Sequence, residues 1–374
     1  MSTDRLENVT EPSREYLNPR QAVDYDSHRE GLLNWLKTVG KDPSREQGLA
    51  EKTAENYASR LDRFYRRVWD RTGGYTTKIT HEHADEYVGQ LLRDEITKPN
   101  GEPFSGSTKR KEADALTKLF QWRSVTFDDE PWETDVSFNQ TTYNHADELS
   151  IEERNRLREV VLEYDSIPAY GDVTPEERDR WKAYLAQKLG KPKGEVSPDD
   201  WEQVNQSWKI PSLVWATLDA GLRPIEVGRA RTSWIRVEKA TLYIPREESS
   251  KNRENWEVAV QDRTAKALGR WLEQRANDPR YDGRDEIWLN RQGNPYNSAN
   301  LNYLLGNLCE EAGIDQENRK ITWYSIRHSV GTYMTSKGNL AEAQQQLRHK
   351  SLETTLRYAH PPVEDRRKTL DKMG

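Results

Sequence analysis

In 374 residues the chain carries one cysteine, three methionines and five phenylalanines. A lone cysteine, Cys309, excludes an internal disulfide and any metal site built from several thiolates, and its setting in LGNLCEEAG reads as a buried helix position. No apolar run approaches the roughly 18 residues of a membrane-spanning helix. The opening stretch MSTDRLENVTEPSREY lacks the basic-then-apolar pattern of a secretory signal, so a cytoplasmic protein without a membrane partner is expected. Positive charge is also short: the net charge is -6, which alone argues against a nucleic-acid partner. The deficit is uneven, however. Residues 163–208 hold ten acidic and six basic side chains, a net of -4, so most of the excess sits in one segment.

Against these shortages stand 13 tryptophans and 17 tyrosines, large apolar bodies able to fill a core under a very polar surface. The length exceeds the usual single core, and two domains are expected. Residues 1–26 have few apolar positions and read as a flexible leader. Residues 27–125 carry four helical patterns and read as a helical bundle. HREGLLNWLKTV is the first; in the second, AEKTAENYASRLDRFYRRVWD, Tyr57, Leu61, Phe64, Tyr65 and Val68 share a stripe. THEHADEYVGQLLRDEI starts at a Thr80 cap, and SGSTKRKEADALTKLFQW is the fourth. Residues 126–147 hold no sustained period and read as a linker.

A second domain is expected over 148–374, with an insert at about 163–208. Ser150 with Glu153, and Thr174 with Pro175 and Glu177, have the spacing of helix starts. PSLVWATLDAGLRPIEVGRAR reads as a buried helix, a tight turn at Gly221 and a second helix. WIRVEKATLYIP and WEVAV alternate with period two around SSKNREN, which predicts a small antiparallel sheet with Lys251 near its hairpin turn. Apart from EIWLN the remainder reads as helical. The fold class expected is mainly α with a small antiparallel β-sheet.

Four stretches carry chemistry: GLRPIEVGRA, SSKNREN, YSIRHSVGTYM and QLRHKSLETTLRYAH. Singly each is weak, since an isolated arginine is usually a surface residue and lysines are commonplace in hairpin turns. Together, two arginines, a lysine, a histidine and a late tyrosine suit a phosphodiester held by guanidinium forks and attacked by a phenol. A free tyrosine titrates near pH 10, so it needs positive surroundings to attack near neutrality. Arg223, Arg327 and His349 would supply that field, and Lys251 could protonate the leaving 5′ oxygen.

In this order the motifs resemble the tyrosine recombinase, or phage integrase, family, over residues 27–374. The resemblance implies a helical core-binding domain followed by a mixed α/β catalytic domain. The G-L-R-x-x-E context falls on Arg223 with Glu226 as its companion, and the hairpin lysine on Lys251. The H-x-x-R box falls on YSIR with Arg327, the LGH box on LRH with His349, and the T-T-x-x-Y-x-H segment on Tyr358 as nucleophile. Tyr324 stands where the family has histidine, with His328 just after the arginine instead. On a helix Tyr324 and Arg327 share a face, so the Tyr324 hydroxyl can still be offered to the phosphate, although it is no base near neutrality. Arg348 replaces the glycine of the LGH box, as a further phosphate contact or a surface residue. The long insert is the third departure, with a structural or regulatory role expected.

By this resemblance the chain is a site-specific recombinase that cleaves and rejoins double-stranded DNA through a 3′-phosphotyrosyl link. The link conserves bond energy, so neither a cofactor nor a metal ion is expected. Exchange between two duplexes implies a tetramer assembled on DNA, and the tail VEDRRKTLDKMG matches those that dock on a neighbouring subunit in the family. In the first domain, Lys52, Thr53, Asn56 and Arg60 share a helical face, while Thr108, Lys109, Arg110 and Lys111 open another helix. Both clusters are candidate DNA-backbone contacts, a solvated charged face being the plain alternative. A type IB topoisomerase would share the chemistry, and a DNA-binding accessory protein would share only the surface.

Overall fold

The computed structural model of the chain describes residues 8–138, 146–249, 254–359 and 363–373. The chain divides into two compact units, Met1–Asn144 and His145–Gly374.

The first unit is helical: α1 (Glu11–Arg14), α2 (Pro19–Thr38), α3 (Glu51–Thr72), α4 (His81–Leu92) and α5 (Gly106–Phe127). Thr80 caps α4 and Ser105 caps α5, each side-chain oxygen accepting a backbone N–H of its own first turn. The apolar stripe of α3 is buried through Leu61, Phe64, Tyr65 and Val68, against Leu32 and Leu36 of α2 and Leu116, Leu119 and Phe120 of α5. Two expectations are corrected here. Residues 8–26, expected to be flexible, form α1 and the start of α2, tied down by Val9 and Tyr25 in the core and by a polar hub. Asp62 of α3, 2% exposed, accepts from Thr10 Oγ1 (2.7 Å), Ser13 Oγ (2.8 Å), Tyr25 Oη (3.1 Å) and Arg29 Nη1 (3.1 Å). The segment expected as a linker from 126 continues the same unit. Trp132 and Phe138 are buried in its core, and Trp132 Nε1 donates to Asp85 at 2.9 Å.

The second unit begins with α6 (Ile151–Val160), capped by Ser150 and Glu153. α7 (Pro175–Leu189) and α8 (Pro198–Gln203) then form the insert, which has a small core of its own around Ile167, Trp181, Leu185 and Trp201. Its ends are pinched together, Ile167 N–H donating to Asn205 O at 2.7 Å and Ser207 N–H to Asp165 O at 3.2 Å. An inserted stretch whose ends meet can enlarge the chain without disturbing the elements on either side.

Next come α9 (Lys209–Ala220), buried on nearly every side, and α10 (Pro224–Arg229). A three-stranded antiparallel sheet follows: β1 (Ile235–Arg236), β2 (Thr241–Ile244) and β3 (Trp256–Ala259), with Leu242 opposite Val258 and Ile244 opposite Trp256. The single run WIRVEKATLYIP is broken into β1 and β2 by a tight turn that puts Ala240 at φ 48°. Lys251 lies outside the described residues. α11 (Asp262–Arg275), α12 (Ser298–Glu311), α13 (Trp323–Lys337), α14 (Leu340–Leu347), α15 (Leu352–Leu356) and α16 (Val363–Asp371) complete the unit. EIWLN is buried but forms only isolated bridges. Trp234, Trp288 and Trp323 fill the core around α9, which explains how a chain poor in phenylalanine packs a large domain. No helix among the described residues is long and apolar enough to cross a membrane.

Candidate active site

The site is assembled from chain reversals at the ends of buried helices. α9 stops at Gly221, which has φ 57°, and a Cβ there would stand 2.8 Å from Leu347. Glycine is therefore required twice over, by conformation and by space. The reversal presents Arg223 as the residue that starts α10. Glu226, three residues on, reaches back so that its Oε2 accepts the Arg223 N–H at 2.8 Å while its Oε1 takes Arg223 Nη1 at 2.7 Å.

Arg327 enters from α13. It is 3% exposed, and its Nη1 donates to Gly221 O at 2.6 Å and its Nη2 to Leu347 O. The same Nη2 lies 3.0 Å from His349 Nε2, and His349 Nδ1 lies 2.9 Å from Thr355 Oγ1. A guanidinium can only donate, so Nε2 is the acceptor and the ring proton sits on Nδ1, donated to Thr355. Burial, with Arg327, Arg223 and Arg348 close by, pushes His349 down to about 3. The imidazole is thus neutral and contributes no positive field, contrary to the sequence expectation. Arg327 is itself pushed down to about 9 by burial and by Arg223 and Arg348, which leaves it cationic near neutrality.

Tyr358 packs among these groups at 9% exposure. Its ring stacks on His349, with centroids 5.8 Å apart and planes 12° from parallel, and tilts against His328 at 5.4 Å. Gly331 of α13 makes the room, because a Cβ there would sit 2.7 Å from the Tyr358 ring. α15 ends at Leu356, so Tyr358 lies just past the helix expected to carry it, its N–H bonded to Thr355 O at 2.9 Å. Pro361 and Pro362, expected to end that helix, are outside the described residues. Burial raises the pKa of the phenol above its ordinary value of 10.0, and Arg327 and Arg223 pull against the rise.

Tyr324 is 43% exposed in the first turn of α13, and its ring lies 6.4 Å from that of His328, so rings run from Tyr324 through His328 to Tyr358. Arg348 is neither a surface residue nor a free phosphate contact. At 1% exposure it adopts φ 56°, and its Nη2 pairs with Glu226 Oε2 at 2.8 Å. Sequence reasoning missed this role, along with those of Gly331 and Thr355. A glycine inside a helical pattern is a readable signal of close approach; a pairing between residues 226 and 348 is not. Beside His349 a cleft of about 350 Å³ opens between the start of β3 and the end of α14. Glu254, three positions after Lys251, lines it.

With this geometry, the region from before α9 to the last helix corresponds to a known domain: residues 204–364 match the model of the phage integrase family. The fold is shared with solved recombinases. The XerH site-specific recombinase bound to difH substrate in a pre-cleavage complex aligns over 95% of this chain and 90% of its own, with a TM-score of 0.54 and 16% identity. The Tn1549 transposon integrase in complex with transposon right end DNA covers 91% of this chain and 99% of that one, at a TM-score of 0.52 and 14% identity. No curated protein matches the chain. At these identities the likeness to solved structures is one of fold; the arrangement of side chains is this chain's own.

In the first unit Lys52, Thr53 and Asn56 are exposed on α3, while Arg60 is half-buried beside Glu112 at 3.5 Å. At the start of α5 Lys109 pairs with Asp94 at 2.5 Å and is 11% exposed. Arg110 donates to Phe138 O at 3.2 Å, Lys111 is exposed, and the Thr108 N–H is already bonded to Ser105.

Proposed function

We propose that this protein is a site-specific DNA recombinase that cleaves and rejoins a DNA strand through a covalent 3′-phosphotyrosyl link at Tyr358. The observation that carries the reading is the gathering of Arg223, Arg327, His349 and Tyr358, distant in sequence, into one cluster. Two buried guanidinium groups offer forked donors to the nonbridging oxygens of one phosphate. A phosphate there replaces part of the solvation those cations gave up on burial, and their charge is largest in effect where water is excluded. The Tyr358 oxygen attacks phosphorus, the bond to the 5′ oxygen breaks, and that oxygen leaves as a hydroxyl. The phenol releases one proton and the leaving oxygen gains one, so the step is proton-neutral overall. Lys251 is the proposed donor to the leaving oxygen. A 5′ hydroxyl from a partner duplex reverses the step, with four protomers on the DNA during exchange.

Neutral His349 acts as a fixed acceptor that orients Arg327 and, through its stacked ring, Tyr358. The exposed residues Lys52, Thr53, Asn56 and Lys111 are the proposed backbone contacts of the first unit, with Thr108, Arg110, Arg60 and Lys109 supporting them. The test uses two labelled duplexes carrying DNA from the flanks of the encoding gene. Exchange of label supports a recombinase, while relaxation of supercoils without exchange points to a topoisomerase. Shifted bands with neither product point to a DNA-binding protein only.

A further inference from the structure

Glu226 is a buried carboxylate shared by two arginines. Arg223 holds Oε1 at 2.7 Å, and Arg348 holds Oε2 at 2.8 Å with its Nε 3.4 Å from Oε1. Burial works against the Glu226 charge, yet Arg348, Arg223 and Arg327 together outweigh it and hold the group well below the usual carboxylate range. The two partners differ in reach. Arg223 has a side chain 11% exposed, while Arg348 is 1% exposed and cannot meet DNA. Arg348 is also anchored to the ends of two helices: Nη1 donates to Ala220 O at 2.8 Å and Gln346 O at 2.7 Å, and Nη2 to Gly221 O at 3.1 Å. It sits at φ 56°, a conformation glycine adopts freely and a side chain bearing Cβ does not.

We infer that Arg348 is a positioning residue, the standing counter-ion of Glu226 that frees Arg223 for the DNA phosphate. The inference rests on the recombinase reading above. When Arg223 turns its donors to a phosphate, Glu226 loses the shorter contact at Oε1, the one from Arg348 Nε remaining at 3.4 Å. A buried carboxylate left without a cation is strongly unfavourable, and it would hold Arg223 back from the substrate. With Arg348 in place, the carboxylate stays compensated while Arg223 moves. The same contacts fix the turn after α14, so His349 follows directly against Arg327.

The test is Arg348→Gly, which suits the left-handed backbone and removes the guanidinium together with its aliphatic stem. On a nicked duplex that traps the covalent adduct, its rate of adduct formation should fall roughly thirty-fold or more, as for a broken buried ion pair. Duplex affinity, measured with Tyr358→Phe also present to block cleavage, should stay within about three-fold, since Arg348 touches no DNA. Adding Glu226→Gln to Arg348→Gly removes the charge that needs a counter-ion and should recover most of the lost rate. A rate for Arg348→Gly equal to that of the unmodified protein overturns the inference. So does a double variant no faster than Arg348→Gly, which would make the role one of packing. If Arg348→Gly does not fold, Arg348→Lys decides: cleavage within about ten-fold of the unmodified protein supports a charge role, and slower cleavage refutes it. If the unmodified protein forms no Tyr358-dependent adduct, the recombinase reading fails first and takes this inference with it.

Discussion

Exposed positive charge on the first unit and buried positive charge in the second are handled differently. On α3 and α5 of the first unit, cations are matched to carboxylates nearby: Lys52 to Glu55 at 3.0 Å, Arg63 to Glu112 at 2.9 Å and Lys109 to Asp94 at 2.5 Å. In the second unit Arg223, Arg327 and Arg348 close on the single carboxylate of Glu226, and Arg327, Arg348 and Glu226 are almost fully buried. A matched, exposed pair such as Lys52 with Glu55 is complete in water and is worth little to stability. A buried surplus is incomplete, and the proposed DNA phosphate would complete it. Charge count alone therefore misleads: a chain with a net charge of -6 still builds a concentrated positive pocket.

Breaking the surplus should have the larger effects. Arg327→Lys keeps a charge but loses the fork that reaches Gly221 O, Leu347 O and His349 together, and adduct formation on a nicked duplex should fall about a hundred-fold or more. Gly331→Ala should cost about ten-fold or more in the same assay, because a Cβ 2.7 Å from the Tyr358 ring pushes the phenol out of line. The fold should survive, alanine being the better helix former, as a thermal melt would check.

The acid response sharpens the comparison next. His349 is held down to about 3, and His28 in the first unit, buried and near Arg123, to about 4, both from an ordinary 6.5. Unfolded, each takes a proton near pH 6.5 while the folded chain refuses it. The unfolded state then binds more protons, so stability is full above about pH 6.5 and falls as the pH drops toward 4. Melting temperatures across that window should show the decline, and His349→Asn should flatten part of it. A flat profile would contradict the neutral assignment.

The smallest effects belong to the first unit. Lys111→Ala should lower the log–log salt slope of duplex binding by about 1, as expected for one lost phosphate contact. Lys52→Ala and Lys109→Ala, at lysines already paired with Glu55 and Asp94, should each lower it less. Equal changes at all three would erase the distinction between matched and unmatched cations.

What the sequence disclosed follows the range of the interaction. Helix starts at Thr80, Ser150 and Thr174 are local signals, and the caps form where the spacing placed them. Arg223, Arg327, His349 and Tyr358 were legible through the order of short motifs, each read within a few residues. The roles that escaped depend on partners far along the chain. Arg348 answers to Glu226, Thr10 and Ser13 answer to Asp62, and Trp132 answers to Asp85. A polar leader looks unstructured when burial is judged by apolar content, yet its hydroxyls find one buried carboxylate. Lys109 looked free at a helix start because Asp94 lies on another element.

The central claim is that the phenol at 358 forms a covalent bond with DNA, and one measurement addresses it directly. After incubation with a nicked duplex and digestion, mass spectrometry of the peptides should find a nucleotide attached at Tyr358, and Tyr358→Phe should give none. A nucleotide carried on another residue, or an adduct that persists in Tyr358→Phe, would contradict the account.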